Sequence, residues 1–408
     1  MTNTEDIYIV SAVRTAIGSF GGSLKPFRPA DLGALVITEA LSRAGLEPKD
    51  VEHVVMGQVM QTGPKDQFMS RVAALKAEIP VEVPALTLNR LCGSGVQSIV
   101  SCAQMMKLGE AGICVAGGAE SMSNVPYHDL EARWGKRMGN SVLLDALTEG
   151  LMDPIHEVHM AITAENVATR HQITRQEQDE LAVDGHLRAA RAIAEGRFKD
   201  QILPVEIKTR KGTVVFDTDE HVRADTTMAT VSHLKPMFKE DGSVTAANSS
   251  GINDGAAAVV LATATEVQKR GLTPMARIVA WAHAGVEPLY MGIGPVKAVP
   301  IALKRAGLTL ADMDVIEANE AFAAQALAVA KELGFDRDKL NPNGSGISLG
   351  HPVGATGTIL TVKAAYELKR IGGRYALMTM CIGGGQGIAL IIENADFCED
   401  LELKEAAE

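Results

Sequence analysis

The chain has 408 residues, 46% of them hydrophobic and 22% charged, which provides enough apolar side chains for two or three domains with their own cores. A formal net charge of −11 and an aromatic content of only 4% argue against a nucleic-acid-binding protein, which needs a basic surface and stacking side chains. No apolar run reaches the roughly 18 residues of a membrane span, so the composition excludes a membrane-spanning protein as well.

The N-terminal sequence MTNTEDIYIVSAVRT is acidic and enters a strand pattern at once, which indicates neither a signal peptide nor a transit peptide. The five cysteines are odd in number and lack the C-x-x-C spacing of a metal site. We therefore expect a cytoplasmic protein with free thiols and no bound metal. The cysteines are Cys92, Cys102, Cys114, Cys381 and Cys398.

The first predicted element is a strand at 7–13 (IYIVSAV), and a similar run at 277–281 (RIVAW) begins the last third of the chain. After each run comes nearly the same segment, ALSRAGL at 40–46 and ALKRAGL at 302–308, followed by an acidic turn and a strand. This internal similarity predicts two copies of one α/β unit packed about a pseudo-twofold axis.

The two copies also end alike. In each, a glycine-containing turn precedes a long helix, predicted at 93–108 and 355–370, and a strand that runs into glycines follows, at 113–120 and 376–385. Four apolar residues of the first helix have the spacing of one buried face: Val96, Ile99, Val100 and Ala103.

Between the two copies, residues 121–252 are richer in charged residues and histidine. This segment contains a predicted helix at 175–195 and a predicted hairpin, VEIKTRKGTVVF, with its turn at Lys211-Gly212. An insertion of this length either covers a substrate or forms a solvated packing or dimerisation subdomain, and the sequence favours neither.

Cys92 lies in TLNRLCGSGVQSI, where a strand-like run ends and the first long helix begins. A helix N-terminus favours thiolate over thiol, so this position would activate a nucleophile. Gly93 and Gly95 would let a substrate approach the backbone closely. The alternative is that a cysteine is a small buried hydrophobe, and this is our interpretation of Cys102 and Cys114.

Asn319 and His351 are candidate polar groups in the second copy. Asn319 precedes an alanine-rich helical segment, so it is either the helix N-cap or an amide that orients a water towards a developing oxyanion. His351 lies in NPNGSGISLGHPVGATG just before a helix, with Pro352 suited to a first turn, and an imidazole can take the proton of a thiol at neutral pH. A lone histidine is usually structural, but packing alone does not predict so many glycines around it.

Cys381 ends the strand ALMTM and precedes IGGGQG, whose backbone amides would form a nest for negative charge. A thiol at that position is either a second acid/base group or simply a buried strand residue.

Four of these segments resemble the thiolase family. The motifs NRLCGSG at 89–95, NEAFA at 319–323, GHPVGATG at 350–357 and CIGGGQG at 381–387 occur in the family's order. The resemblance extends from about residue 5 to 394 and includes GGAESMS at 117–123. The sequence is most similar to bacterial acetyl-CoA acetyltransferases and broad-range β-ketothiolases.

The resemblance implies the thiolase fold, in which two βαβαβαββ halves form a five-layered α-β-α-β-α core. It places the N-terminal half at 1–120, completed by about 253–273. By the same resemblance, residues 121–252 are an inserted loop domain that covers the coenzyme A site, and residues 274–408 are the C-terminal half.

By the same resemblance, Cys92 accepts the acyl group, His351 deprotonates Cys92, and Cys381 removes or returns the α-proton of the second substrate. One oxyanion site would consist of His351 and a water held by Asn319. The backbone amides of Cys92 and Gly383 would form the other.

Further positions match residues that contact coenzyme A in the acetyl-CoA enzymes of this family. Thr230 stands where those enzymes have a serine and Ile252 where they have a leucine, and NGSGISLGHP at 343–352 replaces the more common NGGAIALGHP. The matching positions are Leu151, His159, Met160, Arg223, Phe238, Ala246, Ser250, Met291, Ala321 and Phe322.

The expected activity is the reversible condensation of two acetyl-CoA to acetoacetyl-CoA and CoA, through an acyl-Cys92 intermediate and without a cofactor. The alternatives are a broad-range or degradative thiolase for longer 3-ketoacyl-CoA and an inactive CoA or lipid carrier with the thiolase fold. The family's habit predicts a homo-oligomer, a dimer or a tetramer, with RWGKRMG at 133–139 in a tetramerisation loop.

Overall fold

The computed structural model describes residues 5–398. Residues 1–4 and 399–408, at the outer ends of the predicted domains 1–120 and 274–408, lie outside the described part. Neither of these two domain boundaries, nor that of 121–252, is tested by the structure, and they stay predictions.

Seventeen strands form within the described residues. They are β1 (Ile7–Thr15), β2 (Gly18–Ser19), β3 (His53–Gly57), β4 (Ala85–Leu88), β5 (Ile113–Ser121), β6 (Tyr127–His128), β7 (Leu144–Asp145), β8 (Met152–Asp153), β9 (Val158–His159), β10 (Ile202–Leu203), β11 (Val205–Thr209), β12 (Gly212–Phe216), β13 (Asn253–Thr263), β14 (Ala276–Gly285), β15 (Met313–Ala318), β16 (Tyr375–Ile382) and β17 (Gln386–Asn394).

Twelve α-helices accompany them in the same part of the chain. They are α1 (Pro29–Ala44), α2 (Met69–Lys76), α3 (Ser94–Lys107), α4 (Ala146–Glu149), α5 (Met160–His171), α6 (Arg175–Ala194), α7 (Met228–Val231), α8 (Ala264–Arg270), α9 (Gly294–Ala306), α10 (Ala323–Leu333), α11 (Gly346–Leu349) and α12 (Val353–Ile371).

The main sheet repeats one strand order twice. In the first half the order is β3-β5-β13-β1, and in the second half it is β15-β16-β17-β14. The first pair of each series is parallel and the following pairs are antiparallel. The halves are joined where β1 pairs with β14 at Tyr8–Arg277 and Ile9–Ala276. This order confirms the repeat predicted from the two similar segments.

The repeated ALxRAGL segments are the ends of α1 and α9. Gly45 and Gly307 take left-handed backbone conformations there, with φ of 67° and 68°, which glycine adopts without steric cost. The following Leu46 and Leu308 each donate a backbone hydrogen bond of 3.0 Å to a leucine carbonyl five residues earlier. Both helices thus end in the same glycine-dependent cap, which explains why the sequence repeats at this point.

Five layers follow from the helix contacts. Helices α1 and α2 cover the outer face of the first half of the sheet, and α9 packs on the second half. Helices α3 and α12 contact each other between the two halves, and α12 packs on both β13 and β16. Almost every residue of α12 up to Leu368 is buried, and Lys363, within it, is paired with Glu317 at 2.6 Å. A helix that is buried around its whole circumference, with its one buried lysine paired, is suited to such a central layer.

Up to residue 398, the second half lacks a counterpart of β4, which is a departure from the predicted βαβαβαββ pattern. At the equivalent place only Ile316 and Leu340 form an isolated bridge. The next residue, Asn341, has a left-handed φ of 46°, and Pro342 follows it, so the extended chain cannot continue as a ladder. Two of the other predicted elements, the helices at 93–108 and 175–195, are confirmed to within one residue at each end by α3 and α6.

The segment between β5 and β13 forms α4 to α7 and three two-stranded ribbons. The predicted hairpin is present as β11 and β12, but the prediction of its turn at Lys211-Gly212 was wrong by one residue. Thr209 pairs with Gly212, so Arg210 and Lys211 form the two-residue loop. The Thr209 hydroxyl fixes this register, because it donates to the Gly212 carbonyl and accepts from the Lys211 amide.

Across residues 5–398, none of the helices combines the length and the apolar character that crossing a bilayer requires.

Candidate active site

Cys92 lies in a sharp turn between β4 and α3. Leu91, directly before it, has a left-handed φ of 47°, which is uncommon for a branched residue and occurs mainly where the surrounding structure enforces it. Asn89 holds the Leu91 amide at 2.8 Å, and the Ser94 hydroxyl donates to the Leu91 carbonyl at 2.7 Å. The turn thereby presents the Cys92 side chain to a cavity.

The electrostatic surroundings of Cys92 correct one expectation. Burial raises the pKa of the Cys92 thiol and the Glu120 carboxylate raises it further, whereas the backbone N–H groups of Gly383 and of Cys92 itself lower it. The net direction is upward, so the prediction that the helix N-terminus favours a resting thiolate was wrong. Helix α3 begins only at Ser94, two residues beyond the cysteine. The thiol therefore needs a base at the moment of reaction.

The glycines after Cys92 also have a different role from the one predicted. A Cβ atom on Gly93 would lie 2.6 Å from the side chain of Ile382, and one on Gly95 would lie 2.4 Å from the backbone nitrogen of Thr358. These positions are small because Gly93 packs against Ile382 of β16 and Gly95 against the backbone of α12, and the predicted approach of a substrate stays a prediction.

His351 precedes α12 and is held at three points. Its backbone N–H donates to Asn253 at 2.9 Å, its Nδ1 contacts the Thr356 hydroxyl at 2.6 Å, and its Nε2 lies 3.5 Å from the Asn319 amide nitrogen. The Thr356 hydroxyl donates its only proton to the Pro352 carbonyl. It must therefore accept from Nδ1–H, which leaves Nε2 unprotonated.

Burial lowers the pKa of His351 to about 4. At neutral pH the imidazole is thus uncharged, and its free Nε2 is able to accept a proton.

The glycine-dense segment around His351 is explained by packing, contrary to the expectation. A Cβ atom on each of its glycines would come closer than 3.0 Å to a neighbouring atom, for example 2.6 Å from Asn253 at Gly350 and 2.3 Å from the Val96 nitrogen at Gly357. Contacts this close do not occur with a real Cβ atom. The five glycines are Gly344, Gly346, Gly350, Gly354 and Gly357.

We expect Thr356→Val to slow the acetylation of Cys92 by about 10- to 100-fold, because the isosteric side chain cannot hold Nδ1–H and the base loses its orientation. Thr361→Val is the matched control, since Thr361 also bonds a carbonyl four residues earlier in α12 but does not bond His351. The burst of CoA released from acetyl-CoA measures the rate. A wild-type burst in Thr356→Val would contradict the assignment of the tautomer.

Asn319 is not the N-cap of α10, which begins at Ala323 with Phe322 as its cap. Its backbone N–H instead extends the pairing of β15 with β16 by donating to Thr379 at 3.0 Å. Its side chain faces His351, and its buried Oδ1 has no hydrogen-bond partner among the described residues. Of the two readings of Asn319, the placement is compatible with the amide that orients a water.

Cys381 is the penultimate residue of β16 and is fully buried. It packs in a small cluster with Met160, Met291, Ala321 and Phe322. Burial raises the pKa of the Cys381 thiol well above its ordinary range, and an ionised Cys92 raises it further. The Cys92 sulfur is therefore close enough to Cys381 to influence its ionisation.

A cavity of about 350 Å³ connects these groups. Cys92, His351 and Gly383 line it directly, whereas Cys381 and Asn319 are buried behind its wall. All the residues matched to coenzyme A contacts line it as well, except Arg223, which is exposed outside it. Those that do are Leu151, His159, Met160, Phe238, Ala246, Ser250, Met291, Ala321 and Phe322.

Two aromatic rings stack at the cavity wall. His159 and Phe238 have ring centroids 4.0 Å apart and an angle of 10° between their planes. His159 Nδ1 accepts the Ala161 amide at the start of α5, and burial lowers the pKa of His159. A neutral ring pair at the mouth of a cavity provides an apolar surface for the long, flexible part of a ligand.

Several lining residues were not predicted. Met60, Met122 and Val353 lie beside Cys92 in one apolar cluster. Met237 and Ser249 also line the cavity and directly precede the predicted residues Phe238 and Ser250 in the sequence. None has a chemically distinctive side chain that would mark it in a sequence. The only available signal was the segment GGAESMS, which contains Met122 and the buried Glu120.

Comparison with known proteins gives two matching family models. The model of the thiolase N-terminal domain matches residues 7–265, and that of the thiolase C-terminal domain matches residues 272–394.

Among curated proteins, the chain is 60% identical over 391 residues to beta-ketothiolase BktB of Cupriavidus necator, which is 96% of this chain and 99% of that protein. It is 49% identical to an acetyl-CoA acetyltransferase of Pseudomonas aeruginosa, over 95% of this chain and 99% of the relative. Among solved structures, human mitochondrial 3-ketoacyl-CoA thiolase superposes with a TM-score of 0.94 at 45% identity, covering 96% of this chain and 99% of the other.

Proposed function

This chain belongs to the thiolase family, and on that basis we propose that it is an acetyl-CoA C-acetyltransferase that works through an acyl-Cys92 intermediate. The reaction joins two acetyl-CoA to acetoacetyl-CoA and CoA, and it is reversible. The observation that carries the proposal is a single cavity in which Cys92, the neutral base His351 and the Gly383 amide meet, with Cys381 behind the wall.

In the acyl-transfer half, Nε2 of His351 takes the proton of the Cys92 thiol while the sulfur attacks the thioester carbonyl. The raised pKa of the thiol and the low pKa of the imidazole favour proton transfer together with the attack, and not a resting ion pair. The N–H groups of Gly383 and Cys92 already point at the sulfur and would hold the oxyanion. The bond to the CoA sulfur then breaks, and CoA leaves with the proton.

In the carbon-carbon half, Nε2 of His351, unprotonated again once CoA has left, takes the proton of the Cys381 thiol, and the sulfur of Cys381 removes an α-proton from the second acetyl-CoA. The carbanion attacks the acyl carbon on Cys92, whose sulfur leaves and regains a proton. An acylated Cys92 cannot ionise, so in this half of the reaction no thiolate at Cys92 raises the pKa of Cys381. His351 and a water on the free Oδ1 of Asn319 would stabilise the enolate oxygen.

Coenzyme A would enter past the stacked rings of His159 and Phe238. The loop at 248–250 is fixed there by backbone bonds, from Ser250 to Ala321 and from Ala323 to Asn248, each of 2.9 Å. These bonds bring the inserted segment and the second half of the molecule together around the cavity, which supports the role of a cover for the thioester arm.

A second candidate is a thiolase for longer 3-ketoacyl-CoA. It is favoured by the apolar cluster beside Cys92, in which Met60 and Met122 are unbranched and adaptable and could adjust to acyl groups larger than acetyl.

The test supplies CoA with acetoacetyl-CoA and with 3-ketohexanoyl-CoA and follows the loss of each ketoacyl thioester spectroscopically. The acetyltransferase proposal expects the higher kcat/KM on acetoacetyl-CoA. A preference for the longer substrate would select the second candidate, and activity on neither would reject both.

We also propose that the reaction needs no metal or redox cofactor, because the residues named above account for each proton and each developing charge. Among the described residues, no group of three or more His, Cys, Asp or Glu side chains is arranged to hold a metal ion. The same assay after exhaustive chelation is expected to give unchanged rates. A loss of activity that one added metal restores would overturn this proposal.

We further propose a homo-oligomer in the cytoplasm. The segment around the predicted tetramerisation loop leaves Trp134 89% and Met138 84% exposed, together with Leu130 and Val142, which is more apolar surface than a monomer usually shows. The five cysteines are free thiols, which suits a reducing compartment. Light scattering by the full chain would give its oligomeric state, and a monomer at micromolar concentration would contradict the proposed homo-oligomer.

A further inference from the structure

Glu120, the penultimate residue of β5, is a buried carboxylate to which neither the family motifs nor the proposed mechanism gives a role. Its Oε2 accepts the backbone N–H of Val59 at 3.0 Å and of Gly354 at 2.8 Å, and its Oε1 accepts that of Met60 at 3.1 Å. The residue is fully shielded from solvent. One side chain therefore fixes three backbone groups from two separate parts of the chain.

The three donors belong to two segments that meet beside Cys92. Val59 and Met60 follow β3 in the first half, whereas Gly354 is in the first turn of α12, three residues after His351. Val59, Met60, His351 and Val353 all line the cavity. The carboxylate thus joins one wall, formed by Val59 and Met60, to the wall that holds the base.

The approach of these walls is enforced by close backbone packing. A Cβ atom on Gly118 would lie 2.1 Å from the Gly354 carbonyl oxygen, and one on Gly354 would lie 2.8 Å from Oε2 of Glu120. The position of α12 is therefore defined by β5 and by the carboxylate that β5 carries. A carboxylate at this place also suits the N-terminal turn of a helix, where unpaired N–H groups point outwards.

We propose that Glu120 is a positioning residue that sets the distance between the Val59–Met60 wall and the helix of His351, and thereby the size of the acyl space beside Cys92. The proposal rests on the proposed function in so far as this space is taken to hold the acyl group. It predicts that Glu120 governs which group fits at Cys92 and has little influence on how coenzyme A is held.

The decisive variant is Glu120→Gln. Glutamine keeps one acceptor oxygen, but its NH₂ group must face a backbone N–H, so at least one of the three bonds becomes a contact between two donors. Glu120→Ala removes all three bonds. Asp314→Asn is the matched control, because Asp314 also accepts backbone N–H groups, from Arg374 and Tyr375, and does not line the cavity.

The first measurement needs no enzymatic activity. Cys92 is alkylated at pH 8 with iodoacetamide and with N-butyl iodoacetamide, and peptide mass mapping gives the rate of each at this cysteine. Glu120 also affects the pKa of Cys92, but this effect is common to both reagents and cancels in the ratio of the two rates. At pH 8 the wild-type carboxylate is ionised, since burial raises the pKa of Glu120 only to about 7.

We expect the ratio in Glu120→Gln to shift by about fivefold in favour of the larger reagent, because the Met60 wall is no longer held, and by more in Glu120→Ala. Asp314→Asn is expected to keep the wild-type ratio. If Glu120→Ala does not fold, Glu120→Gln alone decides. A Glu120→Gln ratio that equals the control, or that favours the smaller reagent, would show the proposal to be wrong.

The second measurement separates positioning from a general loss of structure. In thiolysis of acetoacetyl-CoA, Glu120→Gln is expected to lower kcat about tenfold and to leave KM for CoA within twofold, because the His159–Phe238 wall is untouched. An equal loss in kcat and in affinity for CoA would contradict positioning at Cys92. If the wild-type chain did not turn over acetoacetyl-CoA, the proposed function would fail. The alkylation ratio would still test whether Glu120 sets the size of the space beside Cys92.

Discussion

Cys92→Ala is expected to lose acyl exchange and thiolysis alike, by roughly 10⁴- to 10⁶-fold, as is usual when a covalent nucleophile is removed. Cys92 lies in an enforced turn, lines the cavity with His351, and has two amide N–H groups directed at its sulfur. The neighbouring groups can polarise a thioester, but without the sulfur no acyl group can be held between the two substrates. Spectroscopic assay of both reactions gives the loss.

A second readout identifies the modified residue. Incubation with acetyl-CoA followed by peptide mass mapping is expected to place the acetyl group on Cys92. Cys102→Ala is the control, because Cys102 lies in α3, the helix that follows Cys92, but is buried and bonds the Val115 carbonyl. This variant is expected to retain acetylation and turnover. Acetyl on another cysteine, or turnover by Cys92→Ala, would contradict the assignment.

Cys381→Ala is expected to separate the two halves of the reaction. Cys92 works in both halves, whereas Cys381 is needed only when a proton moves at the α-carbon of the second substrate. Condensation and thiolysis should therefore fall by about 10²- to 10⁴-fold, the usual cost of losing one acid/base group. Exchange of acetyl between acetyl-CoA and labelled CoA should persist in part, since His351 serves that step.

Isotope exchange gives an independent check of the same division. Incorporation of deuterium from heavy water into the acetyl methyl group requires the α-proton base, and it should be lost in Cys381→Ala together with thiolysis. Circular dichroism would establish that the variant is folded. Wild-type thiolysis by the variant, or an acyl exchange as low as that of Cys92→Ala, would show that the two cysteines do not divide the work in this way.

Much of the fold was predictable from local patterns. The glycine caps of α1 and α9 produce the repeated ALxRAGL segments, and helical periodicity located α3 because it buries one face. The missing counterpart of β4 was not predictable from the pattern, because it depends on the left-handed Asn341 and the proline after it. The hairpin turn was displaced by one residue because a threonine side chain, and not the glycine, defines it.

The chemical groups of the candidate site were predictable, but their burial, pKa directions and tertiary contacts were not. Motif residues marked Cys92, His351 and Cys381, but the direction of each pKa depends on burial, which residue spacing does not reveal. Asn319 resembles a helix cap in sequence, yet a tertiary contact with His351 decides its place. Glu120 was missed because its partners are backbone N–H groups, and any residue provides these.

The strand order has a consequence for folding during synthesis on the ribosome. Among the described residues β1 is the first strand in chain order, but its main neighbours β13 and β14 begin only at residues 253 and 276. Through most of synthesis, β1 therefore lacks the two strands that flank it in the main sheet, and unpaired strand edges promote aggregation. Contacts between such distant parts of a chain also slow folding. The first half can complete its sheet only after β13 has been made, and the second half only after β17.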